Sequence, residues 1–360
     1  MTALKTLRER GQSIWLDSIS RELLESGTLS RYIADLSVTG LTSNPTIFER
    51  AIASSSRYDA AIRSHLDREL PPERLFFELA LDDIVEVADL LRPVYDDTGG
   101  RDGFASIEVA PTLADDAART IEEAKAVFAR AGRPNVLIKV PGTEAGLVAI
   151  EELIAAEIPV NVTLLFSRTH YRNAAEAYLR GIERRVEAGQ GARVPSVASL
   201  FVSRWDARTA GLLPPELVNR LGVAVAKRSY RVYREILNSD RWDRLARAGA
   251  QPQRLLWAST GTKDPSLPAG YYVTELAAEG TINTMPEKTL LAFAEGGEVR
   301  ELLGDEAADA DRIVAEAPRA GVDVDALATS LQTEGRDLFV QSWNDLLACI
   351  ESKRAAMRAV

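Results

Sequence analysis

Eight times along this chain a short run of β-forming residues, closing on polar residues or proline, gives way to a stretch of helical composition. The runs are 13–19 (SIWLDSI), 40–46 (GLTSNPT), 105–111 (ASIEVAP), 135–141 (NVLIKVP), 159–167 (PVNVTLLFS), 195–203 (PSVASLFVS), 255–260 (LLWAST) and 280–286 (GTINTMP). The segments between them, such as 115–131 and 168–188, are rich in Ala, Glu, Arg and Leu, which favour helix. Strand and helix alternating eight times predict an α/β fold, a closed parallel (β/α)8 TIM barrel, as a single domain over residues 1–360. The gaps after the second and sixth runs are longer than one helix needs, so extra helices are expected there. Residues 324–354 carry Leu327, Leu331, Leu338, Phe339, Leu346, Leu347 and Ile350 at roughly helical spacing, which predicts core-facing positions of terminal helices.

Composition removes several kinds of function. The formal net charge is −10 and no basic run occurs, so neither nucleic acid nor an anionic membrane surface is an expected partner. Cys349 is the single cysteine, which rules out an intrachain disulfide. The first residues, MTALKTLRER, lack an apolar signal core, and no segment approaches a membrane span, so a cytoplasmic protein is expected. The histidines are His65 and His170, neither in a zinc-binding spacing. No metal or other cofactor is expected, and a serine–histidine hydrolase would have few candidates for its base.

Lys139 interrupts an otherwise apolar strand. Taken alone, it could carry its amine to solvent on a flexible stem, or be desolvated and act as a nucleophile toward carbonyls. Strand alternation weighs between the two. It puts Leu137 and Lys139 on one face of the fourth run, opposite Val136, Ile138 and Val140. In the fifth run Asn161, Thr163 and Leu165 oppose Val162, Leu164 and Phe166; in the third, Ser106, Glu108 and Ala110 oppose Ile107 and Val109. Asp17, Thr42 with Asn44, Ser199 and Ser259 fall late in their own runs. The inward faces thus gather two acids, a lysine, amides and hydroxyls toward the C-terminal strand ends, where barrel enzymes place their sites. A solvated lysine needs no such converging partners, so the set favours the nucleophile. Plainer roles stand beside this one: Asp17 as a cap for residues 18–24, Asn44 before Pro45 as the start of a turn, Ser199 in core hydrogen bonding, Arg204 in a surface ion pair.

Six ordered motifs carry a resemblance: T-S-N-P-T at 42–46, I-K-V-P at 138–141, N-V-T-L-L-F-S at 161–167, V-A-S-L-F-V-S-R at 197–204, W-A-S-T-G-T-K at 257–263 and N-T-M-P at 283–286. Over nearly its whole length the chain resembles transaldolases, closest to their longer bacterial and plant-like branch. The resemblance implies a metal-free class I aldolase mechanism on a (β/α)8 barrel in the non-oxidative pentose phosphate pathway. A dihydroxyacetone unit would pass from sedoheptulose 7-phosphate or fructose 6-phosphate to glyceraldehyde 3-phosphate or erythrose 4-phosphate. It implies Lys139 as the Schiff-base lysine and Asp17 as the acid/base at the C4 hydroxyl. Glu108 and Thr163 would hold the proton-shuttling water. Asn44, Asn161 and Ser199 would bind donor hydroxyls, and Arg204, with Ser259 and Lys263, the phosphate. A monomer or homodimer is expected.

Three rivals remain. Short fructose-6-phosphate aldolases place a tyrosine where Glu108 stands here. A catalytically silent sugar-phosphate-binding barrel would need no Schiff-base lysine. A related enzyme acting on other sugar phosphates is the third. One departure bears on the choice: transaldolases usually read E-V-D-x-R-L where residues 108–113 read E-V-A-P-T-L. Ala110 and Thr112 replace an aspartate and an arginine. Joint loss favours a structural ion pair that vanished as a unit, because a buried charge left alone costs more than removing both. On that reading, restoring either residue alone should destabilise the fold more than restoring both together.

Overall fold

The computed structural model describes residues 2–304 and 308–358. Its eight strands are β1 (Ser13–Asp17), β2 (Val38–Thr42), β3 (Phe104–Glu108), β4 (Val136–Pro141), β5 (Val160–Leu165), β6 (Ser196–Phe201), β7 (Arg254–Ala258) and β8 (Ile282–Met285). They pair in parallel in chain order, and β8 closes on β1. This is the TIM barrel that the alternation predicts. Helices Pro45–Ala53, Asp59–Ser64 and Pro72–Asp97 lie between β2 and β3, and Ser203–Arg208, Leu221–Leu237 and Asp240–Arg247 between β6 and β7.

Alternation sorts the strand side chains into two apolar layers. Ile14, Leu16, Ile107, Ile138, Val140, Val162 and Trp257 face the helices. Trp15, Phe104, Leu137, Val197, Leu256 and Ile282 fill the barrel. Trp15 needs a neighbour without a side chain: a Cβ on Gly40 would stand 2.3 Å from its indole. The indole Nε1 donates to Asp102 Oδ1 at 2.8 Å, which fixes the ring inside the barrel.

The inside–outside pattern departs from the sequence expectation in two places. Leu164 has φ 59°, a left-handed conformation that breaks extended geometry and shifts the β5–β6 register. Alternation therefore reverses after Thr163. Leu165 packs outward, while Leu164 and Phe166 join the inner cluster. Ala110 lies past the end of β3 and packs in the outer layer, not on the inward face.

The C-terminal segment is one helix, Val324–Arg358, not several. It packs on Pro45–Ala53 and Pro72–Asp97, where Trp343 meets Phe76 with ring centroids 5.0 Å apart. Leu331, Phe339, Leu346 and Ile350 are buried along it, but Leu338 is exposed. Its start is tied to the barrel rim by Gln332, whose Nε2 donates to Gly142 O (3.1 Å) and Leu164 O (2.9 Å). The helix therefore crosses the C-terminal mouth. Among the described residues no helix is long and apolar enough to cross a membrane.

Candidate active site

Register brings the polar side chains together. Glu108 on β3 pairs with Lys139 on β4, and Lys139 pairs with Asn161 on β5. Asp17, the last residue of β1, stands beside Thr42 at the end of β2. Lys139 does not reach solvent: it is 5% exposed, and its Nζ donates to Ser43 O at 3.0 Å and Glu108 Oε2 at 3.4 Å. Glu108 is 6% exposed and sits behind the lysine. Burial lifts its carboxyl above the ordinary carboxylate value, the Lys139 charge opposes this, and Asp17 adds to it.

Asp17 does not cap the following helix. Ser20 does that, accepting from Leu23 N at 3.1 Å. Asp17 Oδ1 instead accepts from Thr42 Oγ1 at 2.7 Å, and Thr42 Oγ1 shares a 2.7 Å contact with Thr284 Oγ1. One edge of Asp17 meets the cavity, but the carboxyl is sunk deep in the barrel. Burial raises its pKa more than Lys139, the Thr42 hydrogen bond and Lys263 together lower it. Two carboxyls near one amine are thus both held more basic than usual, which suits them to accept and return protons.

Ser199 Oγ donates to Asn161 Oδ1 (2.7 Å), and Asn161 Nδ2 donates to Ser106 Oγ (3.0 Å). Ser199 lines the cavity, whereas Asn161 is fully buried beneath its wall. The core role for the Ser199 hydroxyl is therefore present together with a cavity position. Thr163 Oγ1 is buried and finds no hydrogen-bond partner among the described residues. Asn44 lies two residues beyond β2 and caps the helix Pro45–Ala53, accepting from Ile47 N at 3.0 Å, as the plainer reading expects; it also lines the cavity. Ser259 lies one residue beyond β7, with φ 56° and its Oγ 2.9 Å from Ser203 Oγ.

The cavity measures about 140 Å³, and Asp17, Lys139, Thr163, Ser199, Arg204 and Lys263 are on its wall. Arg204 makes no ion pair among the described residues, so the surface-pair alternative is not realised. Its Cζ lies over the rings of Phe201 (5.2 Å) and Phe339 (5.9 Å). A larger cavity of about 440 Å³ opens at the opposite end, among Arg8, Ser13, Thr39, Asp102 and Arg254. Size does not decide here, because among the described residues that cavity is lined by none of the converging acids and by no lysine. Among the described residues no group of three or more His, Cys, Asp or Glu is placed to hold a metal ion.

Sequence reading gave no role to several wall residues, among them Thr284, Phe201 and Phe339. Thr284 was available from the alternation of β8, where it points the same way as Ile282. Phe201 lies in a quoted motif without a role. Phe339 gave no such signal, because helical spacing marked it only as core.

Comparison with known proteins gives consistent results. The family described as transaldolase/fructose-6-phosphate aldolase matches residues 14–350. A transaldolase of Frankia alni is 44% identical over 356 residues, covering 96% of each chain. A transaldolase of Thermobifida fusca is 44% identical over 365 residues, and a transaldolase 2 of Nostoc sp. is 41% identical over 369. These alignments cover 98% and 97% of both chains respectively.

Proposed function

We propose a residue-level mechanism from the premise that this chain belongs to the transaldolase/fructose-6-phosphate aldolase family. Membership makes it a transferase of sugar-phosphate metabolism, in the pentose phosphate pathway. The reaction is transfer of a dihydroxyacetone unit from sedoheptulose 7-phosphate or fructose 6-phosphate to glyceraldehyde 3-phosphate or erythrose 4-phosphate. One observation carries the reading: a buried lysine amine held between a carboxylate and a carbonyl, with a second raised carboxyl on the same cavity.

Glu108, 3.4 Å from Lys139 Nζ, takes a proton from it, and burial shifts that carboxylate toward accepting one. The free amine attacks C2 of the ketose phosphate, and the carbinolamine loses its hydroxyl as water, with Glu108 returning the proton. Thr163 Oγ1, otherwise without a partner among the described residues, holds the water in place. The resulting iminium is an electron sink. Asp17 removes the C4 hydroxyl proton, the C3–C4 bond breaks, and its electron pair moves to the iminium to leave an enamine. The aldose phosphate departs. An acceptor aldehyde is then attacked by the enamine carbon, Asp17 gives its proton to the new alkoxide, and water releases the product from Lys139. Ser199, Asn44 and Asn161 bind or orient the groups that meet the donor hydroxyls; Arg204, Ser259 and Lys263 take the phosphate. Glu108 separates this chain from fructose-6-phosphate aldolases, which carry a tyrosine in its place.

The test is a coupled assay with fructose 6-phosphate and erythrose 4-phosphate. Formation of glyceraldehyde 3-phosphate that depends on erythrose 4-phosphate supports transfer. Release of free dihydroxyacetone at an equal rate without the acceptor would show an aldolase instead.

A further inference from the structure

We propose that the terminal helix Val324–Arg358 builds part of the phosphate site, with Phe339 as a positioning residue that holds the Arg204 guanidinium in its binding pose. The proposal rests on the reading of Arg204 as the phosphate ligand. A long arginine with no ion pair should sample many rotamers, and holding it in one costs entropy unless something fixes it. Here the guanidinium lies over Phe201 and over Phe339. Rings against its faces leave the N–H groups at its edge for an anion. The Phe339 ring also lies 5.6 Å from Lys139 Nζ, so one side chain sets the phosphate anchor relative to the nucleophile.

Two neighbours on the helix fit this role. Gly335, one turn before Phe339, sits inside a helix that alanine would stabilise better. A Cβ there would come within 3.2 Å of Arg204 Nη1 and 3.0 Å of Leu164 Cδ2, so its absence keeps room for the guanidinium. Glu334 is the carboxylate whose field reaches Arg204, yet it does not pair with it. Its Oε1 is held by Ser330 Oγ at 2.9 Å and Arg208 Nε at 3.4 Å. An arriving phosphate therefore displaces no carboxylate. Gln332 fastens the helix start to Gly142 O and Leu164 O, so the wall is fixed to the barrel.

The experiment measures borohydride trapping of the full-length protein with fructose 6-phosphate and, separately, with dihydroxyacetone. Phe339→Leu keeps apolar bulk and removes the ring. It should raise the half-saturating concentration of fructose 6-phosphate by about 2- to 30-fold, with dihydroxyacetone unchanged within about twofold. Phe339→Tyr should restore the value. Gly335→Ala, which keeps both rings, should show the same selectivity and serves if Phe339→Leu does not fold. An equal shift for both donors, no shift, or no rescue by tyrosine would overturn the proposal. Arg204→Ala separates the two levels. If it hurts both donors equally, the phosphate reading itself fails; if it is selective while Phe339→Leu is not, only the positioning role fails.

Discussion

Ala110→Asp restores the acid usual in the family at a place where the structure sets its cost. Ala110 is fully buried in the outer layer, and its N–H donates to Glu123 Oε1 at 2.6 Å. Burial already raises the Glu123 carboxyl. A second carboxylate there loses hydration and faces a like charge, and the site relieves this by keeping a proton. Protonation caps the part of the cost that comes from charge. pH 7 lies about three units above the ordinary pKa of ~3.9, and each unit is worth ~1.4 kcal/mol, so the ionisation part of the cost is at most ~4 kcal/mol. At pH 5 it falls to ~1.5 kcal/mol. The sign follows from a folded pKa above the unfolded one: the penalty is absent below the unfolded value and grows as pH rises, until the folded pKa is passed. Thr112 is exposed, so Thr112→Arg alone should stay within about 0.5 kcal/mol, which corrects the expectation that either change alone destabilises. In the Ala110→Asp background the arginine should recover about 1 kcal/mol or more, as a coupled pair. Urea unfolding at pH 7 and pH 5 measures all four proteins. A loss under about 1 kcal/mol at pH 7, or one that does not shrink at pH 5, would refute the argument from buried charge. A many-fold gain in activity from Thr112→Arg would show that the arginine serves the substrate.

Three further outcomes are expected. Asp17→Ala should lose turnover by about 100-fold or more yet still be trapped by borohydride, whereas Glu108→Gln should slow trapping itself; equal trapping rates in Glu108→Gln and the parent would remove the division of labour. Glu108 must be ionised to accept the Lys139 proton, and burial raises its pKa. The trapping rate should therefore fall with acidity at a pH above the ordinary value of 4.5; a rate flat down to that pH would argue against Glu108 as the acceptor. Gly40→Ala would drive a methyl into the Trp15 ring and should cost about 1–3 kcal/mol by urea unfolding, and no loss would contradict the packing inside the barrel.

The barrel was legible because period two and the eightfold alternation are local properties of the sequence. So was the convergence of Asp17, Glu108, Lys139 and Thr163, since inward register follows from alternation once the barrel closes. What the sequence hid is non-local or depends on one backbone angle. The left-handed Leu164 reversed the faces of Leu165 and Phe166, and β-branching or composition gives no sign of it. Ala110 was assigned inward by continuing an alternation beyond the last strand residue, Glu108. Asn44 and Ser259 lie just beyond their strands, and Asn44 both caps a helix and faces the cavity, so the plain and functional roles did not exclude each other. Phe339 is about 200 residues from Lys139 in sequence and meets it only because the terminal helix folds back over the mouth.

The central claim is that the buried Lys139 amine forms the covalent link to the donor. Incubation with fructose 6-phosphate and sodium borohydride, followed by peptide mapping, tests it most directly. The account predicts a reduced dihydroxyacetone adduct on the peptide containing Lys139, and none in Lys139→Met. An adduct on any other lysine, Lys263 at the cavity rim included, would contradict it.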